Sequence, residues 1–339
     1  MDTKNTILQI DNLKVQFKVD KRTVHAVNDV NLTVHRGKIL GIVGESGCGK
    51  SVTAHSILQL LPPNGKIANG KISFAPDPDG PVLELQSMKR SGKDIRAIRG
   101  QKISMIFQDP MMSLNPVYPI GKQILENLRI HEKKLDRKAA QKRVVDLLSE
   151  LGIPEAEQRF SEYPHQFSGG MKQRVMIAIA MICNPNLLIA DEPTTALDVT
   201  IQKQILRLID RLRDEFGTSV ILITHNMGIV AETCDEVAVM YMGRVVESGT
   251  VQQIFEHPQH PYTRALLRSV PVPGMPAGME LESIPGSTPD ASISFDHCEF
   301  EPRCKYACDR CRGGFPEMRE CEDGHLVSCF VREEEMNRD

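Results

Sequence analysis

The stretch ILGIVGESGCGKS, Ile39 to Ser51, decides how this chain folds. Ile39 to Val43 are five consecutive residues without a polar side chain, the pattern of a strand covered on both faces. The loop that follows, Gly44 to Ser51, matches G-x-x-x-x-G-K-[ST]. Gly44, Gly47 and Gly49 allow backbone torsions that wrap an anion, and a helix expected from about Val52 adds uncapped N–H donors and the positive end of its dipole. Glu45, Ser46, Cys48 and Val52 complete the lining, Lys50 reaches toward the outer phosphates, and Ser51 offers a hydroxyl to Mg²⁺. A chance glycine-rich turn is the competing explanation; strand and helix signals in the required order speak against it.

A chain of 339 residues is long enough for one large or two modest domains with a sizeable core. Its 41 basic and 44 acidic residues leave a net charge of −3, which gives no electrostatic footprint for nucleic acid. The opening MDTKNTILQIDN lacks the basic-then-apolar pattern of an export signal. The most apolar run, Val175 to Cys183, is far short of the ~20 residues a membrane span needs, so a soluble chain that docks on other components is expected. Six of the nine cysteines follow residue 297; without export, that asymmetry predicts a local metal or cluster site rather than a disulfide framework.

Residues 7 to 43 alternate apolar and polar, predicting two or three half-buried strands with a hairpin near Asp20 to Arg22. Gly65 to Met88 continues with short antiparallel strand, and Ile103 to Phe107 is a buried strand ending at Gln108. From Ile120 to Leu151 the period is helical and the exposed face strongly charged, which reads as solvation of that face. At Phe167 to Arg174, FSGGMKQR, Ser168 stands as the N-cap of a helix. LLIADEP then ends a buried strand in Asp191 and Glu192, and SVILIT ends another at His225. Three buried strands therefore deliver the glycine loop, the acid pair and the histidine to one edge of a parallel sheet, where ligands bind. A strand-end acid pair alone is more often a helix cap, and a lone histidine more often structural; their order behind the loop gives them weight.

In this order the motifs resemble the nucleotide-binding subunits of ATP-binding-cassette (ABC) transporters over nearly the whole chain. The resemblance implies a P-loop NTPase of the α/β class: a RecA-like core, an antiparallel β subdomain, a helical subdomain over about 113–167, and a cysteine-rich C-terminal extension. The cassette would span 1–256, and the extension 257–339 with its metal or cluster site at 298–329. Carried over by motif, Gln108 is the Q-loop glutamine, Ser168, Gly169 and Gly170 the signature, Ala196, Leu197 and Asp198 the D-loop, and His225 the switch histidine. Phe167 and Met171 replace the first and last residues of the commonest LSGGQ form. In the family Mg²⁺ sits near Ser51, Asp191 and Gln108, Glu192 activates water, and His225 touches the γ-phosphate. The signature and Asp198 serve the ATP on the opposite subunit. Phe17 and His25 both fit the adenine-stacking position, and both also read as ordinary strand residues. Cys48, beside Lys50 and a helix N-terminus, is expected to have a lowered thiol pKa, so that alkylation blocks ATP binding and MgATP protects.

Gln108 to Ile124 resembles a segment of peptide and nickel importers, and the tail HPQHPYTRALLRSVP, His257 to Pro271, resembles the opening of the C-terminal extension of oligopeptide and dipeptide transporter ATPases. The implied activity is ATP hydrolysis energising di- or oligopeptide import at the cytoplasmic face of the membrane. The implied partners are two permeases, a second paralogous ATPase and an extracytoplasmic binding protein, with no nucleic acid. Nickel import and a soluble, non-transport ABC ATPase are the alternatives, as is a non-catalytic regulatory subunit, against which Glu192 and His225 argue. After a Pro-, Gly- and Ser-rich linker, Cys298, Cys304, Cys311 and Cys329 have the spacing of the dipeptide-importer tail that can hold a [4Fe–4S] cluster. The same four can hold Zn²⁺ or remain thiols, and Cys308 with Cys311 forms a competing CxxC, with Cys321 a further thiol.

Overall fold

The computed structural model describes residues 1–109, 113–195, 197–269, 284–290, 292–293 and 295–331. Ala196 of the D-loop and most of the Pro271–Phe295 linker therefore lie outside the described residues.

Two sheets carry the molecule. The first is antiparallel, in the order β2-β1-β4-β5, from β1 (Thr6–Val19), β2 (Arg22–His35), β4 (Gly65–Phe74) and β5 (Leu83–Glu84). The expected hairpin turns at Asp20, whose φ of 52° lies in the left-handed region. The second sheet has eight strands, ordered β11-β12-β10-β9-β3-β8-β7-β6. In it β3 (Ile39–Val43), β6 (Ile103–Ile106), β7 (Leu187–Asp191), β8 (Ser219–Ile223) and β9 (Glu236–Tyr241) run parallel. Strands β10 (Arg244–Thr250), β11 (Arg319–Glu322) and β12 (His325–Val327) continue it antiparallel. Every residue of β3, β6, β7 and β8 is buried, because layers cover both faces of the parallel half.

Helices follow in chain order: α1 (Lys50–Ile57), α2 (Lys93–Ile98), α3 (Ile120–His131), α4 (Arg137–Glu150), α5 (Ala156–Arg159) and α6 (Gly169–Met181). After them come α7 (Val199–Phe216), α8 (Met227–Thr233), α9 (Val251–Glu256), α10 (Pro261–Arg268) and α11 (Asp309–Arg312). The helical period from Ile120 to Leu151 belongs to two helices, not one. Asp136 accepts the N–H groups of Lys138 and Ala139, and this cap starts α4 afresh after the turn at Glu132 to Leu135. Ile124, Leu128, Val144, Leu148 and Phe167 close over one face of the parallel strands together with Val175 and Ile177 of α6. On the other face Leu8, Val15, Val30 and Phe74 of the antiparallel sheet pack with Ile42, Ile189 and Ile223.

The segment beyond residue 257, expected as an extension, joins the eight-stranded sheet. β12 pairs with β10, Glu247 opposite Val327 and Ser248 opposite Leu326, and β11 adds the outermost strand. Beneath them a third apolar cluster joins Val43, Val239 and Tyr241 to Tyr262 of α10 and Phe300. The rings of Tyr241, Tyr262 and Phe300 lie 4.7 to 5.4 Å apart in tilted and edge-on contacts. Burying a ring of this size contributes about 2 kcal/mol. At the centre of this layer Glu247 is fully buried and accepts the N–H of Gln259 (2.6 Å), the N–H of His260 (2.9 Å) and a bond with Nε2 of His325 (2.8 Å).

Candidate functional site

The glycine loop leaves β3 at the sheet's centre and enters α1 at Lys50. Its shape needs glycine at three places, the first being Gly44, with φ 151° and no room for a Cβ beside the Met240 carbonyl. Gly49 has φ 101°, and a Cβ there would meet the Ala26 carbonyl at 2.5 Å; Gly47 has φ 79° and faces open space. Lys50 is buried, and its ammonium donates to the carbonyls of Gly44 (2.8 Å) and Glu45 (2.9 Å). Ser46 and Gly47 are exposed on the loop's outer side, and Val52 lies partly buried behind it.

The acid pair reaches the loop as expected, and its two members sit in different surroundings. Ser51 Oγ donates to Asp191 Oδ1 at 3.0 Å. Burial pushes the Asp191 carboxyl above its ordinary range, against the bond from Ser51. Glu192 follows the strand with φ 46°, which turns its side chain out of the sheet. Its Oε2 accepts from Gln108 Nε2 (3.0 Å) and Thr195 Oγ1 (2.9 Å), and its Oε1 lies 3.2 Å from His225 Nδ1. Burial opposes ionisation of Glu192, but the bonds from Thr195 and His225 outweigh it and hold the carboxyl below its ordinary range. Strand ends 84 and 33 residues apart in sequence from Glu192 thus supply its two outer partners. Thr195 escaped the sequence reading, although it lies within the TTALD run beside the acid pair.

Ser168 caps α6 by accepting the N–H of Met171, and it stands exposed with Gly169. Gly169 lies against Leu197, and Gly170 against Ile201. Asp198 caps α7 through the N–H of Ile201. Phe17 and His25 lie on opposite faces of the antiparallel sheet. Phe17 packs on Gly65, its partner in β4, whereas His25 pairs with Gln16 and lines a polar cavity of about 240 Å³ with Lys14, Arg244 and Phe295.

Cys48 corrects an expectation. Its thiol is buried at 1% exposure, and burial raises its pKa, outweighing Lys50 at 3.8 Å. Proximity to a cation lowers a thiol only where water or donors can hold the thiolate.

All nine cysteines are described, and none forms a disulfide. Cys298, Cys304, Cys311 and Cys329 gather in one region: Cys329 lies within electrostatic reach of the other three, and Cys311 within reach of Cys298 and Cys304. Burial pushes Cys298 and Cys329 up to about 12 and Cys304 to about 11. Cys308 lies 3.6 Å from Cys311 at the edge of the group, and Cys321 contacts Arg319 on β11. Among the described residues no group of three or more His, Cys, Asp or Glu side chains is arranged to hold a metal ion. No described helix is long and apolar enough to cross a membrane.

With this geometry in hand, comparison with known proteins gives consistent matches. A family model described as "ABC transporter" matches residues 27–195, and one described as "Oligopeptide/dipeptide transporter, C-terminal region" matches 246–311. The dipeptide transport ATP-binding protein DppD of Bacillus subtilis is 47% identical over 97% of this chain and 95% of its own length. The oligopeptide transport ATP-binding protein OppD of Haemophilus influenzae is 46% identical, over 98% of this chain and 99% of its own. Among solved structures, a dimeric post-hydrolysis state of the ATP-binding cassette MJ0796, bound to ADP and Pi, superposes with a TM-score of 0.63 at 25% identity, covering 72% of this chain and 98% of that one.

Proposed function

Since the chain belongs to the ABC transporter ATP-binding family, in its oligopeptide/dipeptide branch, we propose that it is the ATP-hydrolysing subunit of an importer of di- or oligopeptides. The observation that carries this reading is the meeting of the Ser51–Asp191 pair and the Gln108–Glu192–His225 group beside one phosphate loop.

ATP's phosphates lie along Gly44 to Ser51, and Lys50 exchanges the carbonyls of Gly44 and Glu45 for phosphate oxygens. The oxygen donors of Ser51, Asp191 and Gln108 suit Mg²⁺, which prefers oxygen and neutralises phosphate charge. Glu192, held ionised, orients and deprotonates the attacking water; Gln108 and His225 fix its direction, and His225 reaches the γ-phosphate as charge develops there. Phe17 is the better adenine partner, since it is a neutral, half-exposed ring whereas His25 is already engaged with Gln16. Ser168, Gly169 and Asp198 stand exposed and Gly170 partly so, placed to serve ATP on a second subunit, so the working unit is a dimer, here with a paralogous ATPase. The dimer works beneath two permeases at the cytoplasmic face of the membrane, with an extracytoplasmic peptide-binding protein and no nucleic acid.

The cysteine site is proposed to hold a [4Fe–4S] cluster on Cys298, Cys304, Cys311 and Cys329, in preference to Zn²⁺. Four partly or fully buried thiols in one region are the residue type that ligates such a cluster, although the described residues do not gather them around a metal position. A cluster there would add covalent cross-links to a segment poor in apolar residues, so its role is structural. Anaerobic purification with iron and sulfide analysis tests this; zinc without sulfide overturns it.

For the transport reading, a strain lacking this gene is expected to lose uptake of a labelled dipeptide, and the gene to restore it. A Glu192→Gln allele is expected to bind MgATP without restoring uptake. Unimpaired peptide uptake in the deletion strain overturns the peptide assignment.

A further inference from the structure

Glu45 is the second residue of the phosphate loop, yet its partners come from the far end of the chain. Arg303 grips its carboxylate with two prongs, Nη1 to Oε2 at 2.7 Å and Nη2 to Oε1 at 2.9 Å, across 258 residues of sequence. Thr288 Oγ1 adds a third bond to Oε2 at 3.0 Å, and the Glu45 N–H donates to Tyr262 Oη at 2.9 Å. On the loop's inner side, the Glu45 carbonyl accepts Lys50 Nζ at 2.9 Å. One residue therefore joins the extension to the lysine that meets phosphate.

Arg303 is itself held in place. It is 8% exposed; its Nε donates to the Pro285 carbonyl at 2.9 Å, and Nη1 lies 3.3 Å from Tyr241 Oη. A planar guanidinium fixed on three sides presents its fork in one orientation, which a flexible ammonium would not do. The bidentate bond from Arg303 leads the interactions that hold the Glu45 carboxyl below its ordinary range, so the pair is ionised at neutral pH.

We propose that Arg303 is a positioning residue for the phosphate loop: through Glu45 it fixes the loop's backbone and the resting place of Lys50, so that ATP affinity depends on the C-terminal extension. The alternative is that the pair only fastens the extension to the cassette. The two differ in what Glu45 does when Arg303 and the rest of the extension remain in place.

The test uses the full chain, equilibrium binding of a fluorescent ATP analogue with Mg²⁺, steady-state ATPase kinetics and thermal unfolding. Arg303→Gln is expected to weaken binding and raise KM about tenfold, with a smaller change in kcat, and Arg303→Lys to restore part of the loss. Glu45→Ala, which leaves Arg303 its bonds to Pro285 and Tyr241, is expected to weaken binding by a similar factor. The double variant should bind no worse than the weaker single one, because both break the same link. Wild-type binding by Glu45→Ala, or losses that multiply in the double variant, overturns the proposal. Should Arg303→Gln unfold early, Glu45→Ala and Arg303→Lys still decide the matter.

Discussion

The two halves of the eight-stranded sheet use carboxylates in opposite ways. On the parallel side, Asp191 and Glu192 stand at a strand end with their oxygens turned to Ser51, Gln108, Thr195 and His225, groups that can release them when a ligand arrives. On the antiparallel side, Glu247 sits mid-strand with no exposure, and its bonds to Gln259, His260 and His325 leave no room for a ligand. The first arrangement keeps a carboxylate available for chemistry; the second spends one to hold the extension against the sheet. Burial alone therefore does not separate a working acid from a fastening one. Position along the strand and the kind of partner do.

The comparison breaks most sharply at Glu192. Glu192→Gln is expected to slow ATP hydrolysis about 10²–10³-fold while leaving the thermal unfolding midpoint nearly unchanged, measured by phosphate release and calorimetry. Glu247→Ala should do the reverse. Leaving the N–H groups of Gln259 and His260 and the ring of His325 without their acceptor is expected to cost about 3 kcal/mol in urea unfolding. Equal loss of stability in both variants would erase the distinction.

A smaller effect follows from His260, which is buried beside Glu247 and accepts the Tyr262 N–H on Nδ1 at 3.0 Å, so its ring is neutral. Burial lowers its pKa from 6.5 to about 4. The unfolded chain therefore takes up a proton that the native one refuses; this contribution to stability is present above pH 6.5 and is lost as the pH falls toward 4. About 2 kcal/mol should disappear between pH 6.5 and 4.5, and His260→Asn should flatten that slope in unfolding midpoints measured against pH. The smallest effect separates two thiols. Cys308 is partly exposed, and although burial opposes it, its bond with Cys311 brings its pKa below the ordinary value; Cys48 is buried and raised. Iodoacetamide at pH 8 should modify Cys308 roughly tenfold faster than Cys48, read by peptide mass mapping.

The parallel half was legible in the sequence because each of its strands carries its chemistry at its own end: Gly44 after Val43, Asp191 after Ala190, His225 after Thr224. Local pattern and chain order were enough to bring Ser51 to Asp191 and His225 to Glu192. The antiparallel half was not legible. Arg319 to Glu322 and His325 to Val327 are too short to announce strands, and β10, the partner of β12, lies about eighty residues earlier, Glu247 opposite Val327. Arg303 stands among cysteines that draw attention elsewhere, and no local pattern ties an arginine to Glu45 across 258 residues. Cys48 was misread for a related reason: sequence shows its neighbours but not the depth at which the loop buries it.

The hairpin that completes the sheet also decides what the molecule offers to other copies of itself. Without β11 and β12, β10 would present the unpaired backbone of Glu247 and Ser248, an open edge for strand-to-strand association. With them, the outermost strand is Arg319–Glu322, four residues of which three are charged. A short, charged edge resists strand addition, and a chain cut after α9 would be expected to lose solubility before it lost its phosphate loop.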